Sequence, residues 1–370
     1  MKIRIAHVLY SFGIGGLEGV LAELINRMDP GVFSHVIYIF SNDASSLNKI
    51  KREGVELRVI RRFFPHDPST IIRLAIALKK SKPDIVRTYN WAGMEGIVAA
   101  RLAGISNIIH SEHGFDIAEI YKKKNRRIIA RRILLNKCVK VIAVSKGLQE
   151  WLVGDVNVDA GKVVYIPNGC DTVCFRPGKD LELRRSLGIS DADTVIGTVG
   201  SLVALKDQRS LIEAFVRVAG SRNDVRLMIV GEGPLRKELE SFAGTADVKE
   251  RMIFTGNVVD PEKYYRAMDI FVLPSLSENM PNVLLQAMAT ALPIVATDVG
   301  DVRHMLDGEK GGIIVSPKDV EALASGIKQF LAHPDAAKGK GVFARRRVED
   351  EFSMTRIKDV YEKLYRSLSG

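Results

Sequence analysis

Ser275-Leu-Ser-Glu-Asn-Met-Pro-Asn-Val-Leu-Leu-Gln-Ala-Met-Ala-Thr-Ala-Leu-Pro-Ile-Val-Ala-Thr297 decides how this chain folds. Asp269-Ile-Phe-Val-Leu-Pro274 leads into it as an apolar strand. A loop with one acid, Glu278, follows, then an amphipathic helix, then a second apolar strand. Pro281 suits the first helical turn, where its missing N–H is not needed. Strand, loop, helix and strand in this order make a parallel crossover, and ligands of open parallel sheets bind beyond the carboxyl ends of the strands. Glu278 and the first turn of the helix therefore project toward the expected site. Gln286, eight residues on, can hold a second polar group along the same ligand.

Working outward, 370 residues exceed one ordinary core and imply two domains. A hydrophobic share of 46% with 26% charged residues describes a soluble globular chain. No apolar run reaches the roughly 18–20 residues of a membrane span. Met1-Lys-Ile-Arg-Ile-Ala-His-Val-Leu9 reads as a first strand and not as a signal peptide. Cys138, Cys170 and Cys174 cannot build a disulfide framework, and free thiols in the cytoplasm are expected.

Charge divides unevenly. Residues 1–180 hold 28 Lys+Arg and 17 Asp+Glu, a net of +11, and residues 181–370 hold 26 and 27, a net of −1. Much of the excess lies in 121–137, where Ile128, Ile129, Ile133, Leu134 and Leu135 form an apolar stripe. Lys and Arg are expected on the remaining, solvated face. That face suits plain hydration, peripheral contact with an anionic membrane at its inner surface, or a phosphorylated acceptor. No aromatic platform accompanies the charge, so nucleic acid is not an expected partner.

Apolar strands recur at 2–10, 36–40, 57–60, 85–88, 108–111, 139–144 and 163–166. A second series occupies 194–200, 226–231, 252–255, 270–273, 294–297 and 313–315, with helical segments between most of them. Such alternation implies parallel sheets with right-handed crossovers. Two full series give an α/β chain of two Rossmann-like, doubly wound domains. Pro167–Asp193, with its Pro-Asn-Gly and Arg-Pro-Gly turns, is the expected linker.

Several loops at carboxyl ends carry glycine. Tyr10-Ser-Phe-Gly-Ile-Gly-Gly-Leu-Glu-Gly19 can bring backbone N–H groups and a helix N-terminus to a phosphate, though it matches the dinucleotide fingerprint only loosely. Gly197-Thr-Val-Gly-Ser-Leu-Val-Ala-Leu-Lys-Asp-Gln208 places Lys206 just ahead of a helix, suited to a diphosphate. Gly231-Glu-Gly-Pro234 is a third such turn. His113 closes the fifth strand. His110 and His113 have metal-like spacing but lack a third ligand, so no metal is expected. Asp191-Ala-Asp193 precedes its strand and sits at the wrong sheet end for a nucleotide-sugar metal.

These pieces resemble the family 4 retaining glycosyltransferases of the GT-B fold. The likeness runs through Gly15-Gly16-Leu-Glu18, His113-Gly114, Val141-Ile-Ala-Val-Ser145, Ile166-Pro-Asn-Gly-Cys-Asp171, the Gly200…Lys206 loop and Glu278-x7-Gln286. The resemblance implies two domains facing a central cleft. Residues 1–168 with 353–370 would bind the acceptor, and 169–352 the nucleoside-diphosphate sugar, UDP- or GDP-linked. The last helix, near 355–369, would cross back onto the first domain. Glu278, Lys206 and His113 would serve catalysis: Glu278 on sugar hydroxyls, Lys206 on the diphosphate, His113 over the sugar. Gly15, Gly16, Gly200, Ser201, Asn279, Met280, Pro281, Asn282 and Gln286 would line the donor, with Gln286 at the ribose. No cofactor or metal is implied, because fixed cations and helix N-termini stabilise the leaving diphosphate. The acceptor would be a saccharide or a lipid-linked saccharide.

Five positions depart from the family pattern. Ser201 stands where Arg is usual, Gln286 where a second Glu is usual, and Asn279 where Gly is common; Asp301 and His304 replace Gly and Glu. Ser201 and Gln286 motivate a rival, a catalytically weak nucleotide-sugar-binding protein. An NAD-dependent dehydrogenase would explain the first glycine loop but neither Lys206 nor Glu278.

Overall fold

The strand segments are almost unbroken runs of Val, Ile and Leu, which suits strands covered on both faces, as parallel strands are. The computed structural model describes residues 2–13, 15–64, 67–114 and 125–369. The chain divides into two units, 1–169 with 354–370, and 170–353. Each boundary lies one residue beyond the one that the resemblance implies.

Among the described residues, the first unit's sheet has seven parallel strands: β1 (Ile3–Leu9), β2 (Phe33–Ile39), β3 (Glu56–Val59), β4 (Ile85–Tyr89), β5 (Ile108–Glu112), β6 (Lys140–Ala143) and β7 (Val163–Tyr165). Their order is β3-β2-β1-β4-β5-β6-β7, so the winding reverses between β1 and β4. The helices are α1 (Gly16–Arg27), α2 (Ser69–Ser81), α3 (Met94–Leu102), α4 (Asn125–Leu135) and α5 (Lys146–Gly154).

The second unit's sheet has six parallel strands: β8 (Thr194–Val199), β9 (Val225–Val230), β10 (Met252–Gly256), β11 (Ile270–Leu273), β12 (Ile294–Thr297) and β13 (Ile313–Val315). Their order is β10-β9-β8-β11-β12-β13, with the reversal between β8 and β11. Its helices are α6 (Leu181–Ser186), α7 (Gln208–Ala219), α8 (Arg236–Gly244), α9 (Pro261–Ala267), α10 (Asn282–Ala289), α11 (Val302–Met305), α12 (Val320–Ala332) and α13 (Pro334–Arg347). Most of 167–193 is not a linker. Asp180 caps α6 by accepting from the Leu183 N–H, and the buried Arg184 donates to the carbonyls of Ala267 and Asp193 and to Asp269. A guanidinium enclosed this way fixes the segment to the second unit.

After a π turn at Val348–Phe352, α14 (Met354–Leu368) returns to the first unit. Ile357, Tyr361 and Tyr365 join Ile5, Phe33, Ile85 and Ile109 in its core. Arg87 of β4 is buried and donates to Tyr361 Oη (2.6 Å), Tyr365 Oη (3.0 Å) and Ser111 Oγ (3.1 Å). None of these partners is a carboxylate. Beside it, His7 meets Tyr89 Oη at 2.8 Å through Nδ1 and His35 at 3.0 Å through Nε2, both imidazoles buried. Among the described residues no helix is long and apolar enough to cross a membrane. Cys138 and Cys170 are buried, Cys174 is exposed, and none of the three is in a disulfide.

Burial holds both imidazoles neutral, with the Arg87 charge adding to it: His35 is pushed down to about 3 and His7 well below its ordinary range. The folded state therefore takes up no proton at either ring between pH 7.5 and 5.5, whereas the unfolded chain does, near pH 6.5. Stability must fall with falling pH. The two histidines together are expected to lower the unfolding free energy by about 3 kcal/mol across that window, measured by urea melts, and His7→Gln/His35→Gln should flatten the dependence.

Candidate active site

Lys206 and Glu278 meet at the reversal point of the second sheet. The loop leaving β8 is pinned to its neighbour: Gly200 N–H donates to Val230 O and Leu202 N–H to Glu232 O, both at 2.9 Å. A Cβ on Gly231 would stand 2.0 Å from Gly200 O, and one on Gly233 2.5 Å from Leu202 O. Those two glycines permit loop-on-loop packing. The anchored loop ends in a short turn, Ala204–Lys206, before α7.

Glu278 comes from the loop after β11. Its Oε1 accepts from Lys206 Nζ at 2.5 Å and from the buried Ser275 Oγ at 2.7 Å. Leu276 N–H donates to Leu205 O at 2.8 Å, so backbone as well as side chains join the two loops. Thr297 Oγ1 holds Ser275 O at 2.6 Å from β12. Gly300 closes the arrangement with φ +53°, where a Cβ would lie 2.4 Å from Glu278 O and 2.7 Å from Asn279 O. Asp301 N–H then donates to Asn279 O at 2.9 Å.

The remaining donor-lining candidates separate. Gly200, Ser201 and Asn279 stay at least partly accessible on these loops, and Asn282 opens α10. Met280 and Pro281 have buried side chains, so they pack the loop and do not face a ligand through them. Gln286 has a partner within the protein. Its Oε1 accepts from the buried Tyr265 Oη at 2.9 Å, which takes one of the two acceptor positions of the carbonyl expected at the ribose. Tyr265, on α9, escaped the sequence reading because nothing local to 265 points to 286.

In the first unit, Gly15 caps α1 and Gly16 begins it, both exposed. Two carboxylates lie over this loop. Ideal Cβ positions on Gly13 and Gly15 fall 2.2 Å from Asp43 Oδ2 and Glu18 Oε2. Burial raises the Glu18 carboxyl above its ordinary range, and the Asp43 charge adds to it.

His113 follows β5, and its backbone N–H donates to Asn90 Oδ1 at 2.7 Å. Its ring lies 5.9 Å from that of Tyr89, and its Nε2 has no hydrogen-bond partner among the described residues. Burial, and then the Arg87 charge, push its pKa down to about 3, so the imidazole is neutral. Asn90, at φ +51°, was missed by sequence reasoning; an Asn directly after an apolar strand was the available signal. His110 is turned to other partners, Thr88 Oγ1 at 2.8 Å and Glu112 Oε2 at 3.1 Å.

The basic segment is rearranged. Residues 121–124 lie outside the described residues. In α4, Arg131 is buried, ion-paired to Glu112 at 3.4 Å with Trp91 and Trp151 rings 5.1 Å away, while Ile129 and Ile133 are exposed. The expected division into an apolar and a basic face holds only in part: Arg126 and Arg132 are exposed and Leu135 is buried, but Arg131 turns inward because a buried acid and two indoles accept a cation better than an isoleucine.

Known proteins share these features. A family model described as Glycosyltransferase Family 4 matches residues 14–173, and one described as Glycosyl transferases group 1 matches 193–333. An Escherichia coli protein named UDP-Gal:alpha-D-GlcNAc-diphosphoundecaprenol alpha-1,3-galactosyltransferase is 28% identical over 341 residues, 88% of this chain and 87% of that one. An uncharacterized glycosyltransferase of Methanocaldococcus jannaschii is 30% identical over 263 residues, covering 68% and 67%. The structure of Anabaena Alr3699/HepE in complex with UDP and glucose superposes with a TM-score of 0.87 at 18% identity, covering 99% of this chain and all of that one. The chain belongs to the family 4 glycosyltransferases, and its two Rossmann-like units are those of the GT-B fold.

The Gly300 contact is testable against an internal control. Gly300→Ala is expected to cost at least about 2 kcal/mol, because left-handed strain adds to the backbone clash at Glu278. Gly308→Ala, at φ +66° with open space around it, should cost only about 1 kcal/mol. Urea unfolding of the two variants measures the difference.

Proposed function

We propose that this glycosyltransferase moves a hexosyl group from a UDP- or GDP-linked sugar to a saccharide or lipid-linked saccharide, with retention of configuration and without a metal ion, in cell-surface polysaccharide or glycolipid synthesis. The observation that carries this reading is the Lys206–Glu278 pair at the carboxyl ends of β8 and β11. A cation and a carboxylate held together at a switch point match the two ends of a nucleoside-diphosphate sugar. On binding, Lys206 turns to the diphosphate, and Glu278, still anchored by Ser275, accepts from sugar hydroxyls. The N-terminus of α10 adds fixed positive potential beside the leaving group.

In the step itself the bond from the anomeric carbon to the diphosphate oxygen breaks. The acceptor oxygen bonds to that carbon on the same face, and a donor phosphate oxygen takes the acceptor proton. Lys206 stabilises the charge that develops on the departing diphosphate. His113, neutral and with Nε2 unpartnered among the described residues, meets an outer sugar hydroxyl. Gln286, engaged by Tyr265, contributes to the ribose pocket by shape. The names of relatives, a UDP-Gal galactosyltransferase and a GDP-mannose mannosyltransferase, support a nucleotide-sugar donor and a lipid-linked acceptor. Free thiols accord with a cytoplasmic enzyme working at the inner face of a membrane.

The test is release of nucleoside diphosphate from a donor panel with candidate acceptors. Lys206→Ala and Glu278→Ala are each expected to cut turnover at least roughly tenfold with unchanged circular dichroism. Unchanged rates in both would refute the assignment. Binding of the donor without turnover on any acceptor would favour a nucleotide-sugar-binding protein, the reading that Ser201 and Gln286 motivate.

A further inference from the structure

The helices on the two faces of the first sheet have different surfaces. Alternate strand residues face opposite ways. Ile5, Ile85 and Ile109 face the core that α1 and α14 cover. Val8 and Thr88 face the other side, where a Cβ on Gly96 of α3 would be 2.9 Å from each. On that side α3 packs against both α2 and α4.

The solvent-exposed positions of these three helices have a narrow composition. On α2 they are Ile72, Ile76, Lys79 and Lys80. On α3 they are Arg101 and Leu102. On α4, among the described side chains, they are Arg126, Ile129, Arg132 and Ile133. Every one is aliphatic or cationic. The aliphatic members are substantially open, from 52% for Ile129 to 65% for Leu102. The acid on these helices, Glu95, is half-buried and ion-paired with Arg62 at 2.9 Å. By contrast, α14 on the opposite face exposes Arg356, Asp359, Lys363 and Arg366 among Thr, Val and Ser, an ordinary surface of mixed sign.

Single exposed apolar residues need no explanation. Aliphatic residues interleaved with cations, and with no exposed acid, do need one. Like charges gathered on one surface repel one another unless an anionic layer faces them, and an aliphatic side chain gains nothing from a nucleic acid, which takes aromatic platforms. Anionic phospholipid supplies both needs, phosphates for the cations and an acyl boundary for the isoleucines. We propose that the outer face of α2, α3 and α4 docks the first unit on a membrane leaflet containing anionic phospholipid. This replaces the simple basic face read from 121–137, since Arg131 points inward and α2 and α3 take part. It rests on the lipid-linked acceptor reading for its purpose only, because docking is measured without turnover.

Vesicle flotation of the full chain tests it, with phosphatidylcholine alone and with phosphatidylcholine mixed with phosphatidylglycerol. The protein is expected to float with the anionic vesicles and not with the neutral ones. Lys79→Glu/Lys80→Glu/Arg101→Glu/Arg132→Glu should lower partitioning at least about tenfold. Ile72→Ser/Ile76→Ser/Ile129→Ser/Ile133→Ser should be released at lower salt than the parent. Arg356→Glu/Lys363→Glu/Arg366→Glu, on the opposite face, should bind as the parent does. Diphosphate release onto a soluble acceptor, measured for each variant, should be unchanged. Flotation that is absent, or equal in the parent and the α2–α4 charge variant, overturns the proposal. So does a dimer in size exclusion that the isoleucine variant converts to monomer, which would make the face a contact between copies. Neither result bears on the transferase reading, which stands or falls on diphosphate release.

Discussion

The ion pair of Lys206 and Glu278 exists because β8 and β11 end side by side where the second sheet reverses its winding. Loops leaving neighbouring strands on either side of a reversal diverge into helices on opposite faces and leave a gap between them. Here the gap is bridged by the hydrogen bond from Leu276 N–H to Leu205 O and by the two charged side chains. Everything else in the site supports that bridge. Gly231 and Gly233 let the β8 loop lie against its neighbour, Thr297 holds Ser275, and Gly300 leaves room for the carbonyls of residues 278 and 279. A partly buried pair of this kind loses solvation, so its geometry must be enforced from outside. The loop after β9 and the end of β12 with the loop that follows it enforce it.

The strands were legible because a doubly covered parallel strand must be apolar throughout, and each of the thirteen runs read from the sequence coincides with a strand. Glu278 and Lys206 were legible by position, each in a loop after a strand and before a helix. Features set by partners distant in sequence were not. The carbonyl of Gln286 accepts from Tyr265, twenty-one residues away on another helix. The burial of Arg131 depends on Glu112, Trp91 and Trp151, none of which figures in the periodicity of α4. Helical spacing identifies two faces but does not say which one turns inward when the core itself contains an acid.

Glycine was ambiguous for a related reason. Gly16 and Gly231 look alike in sequence, each in a turn from strand to helix. One lies exposed at the start of α1, and the other is pressed against Gly200 O. Close backbone approach and ligand approach demand the same missing side chain, and only the neighbouring loop distinguishes them.

The return of α14 to the first unit has a consequence for how the chain is made. Tyr361 and Tyr365 bond Arg87 and complete a core begun by Ile5 and Ile85, yet the whole second unit separates them in the sequence. The second unit is contiguous and can close as soon as it leaves the ribosome. The first cannot: while residues 170–353 are being added, its apolar sheet face and the Arg87 guanidinium lack their cover. Synthesis thus inverts the order of the domains, and the half that emerges first is the last to finish folding.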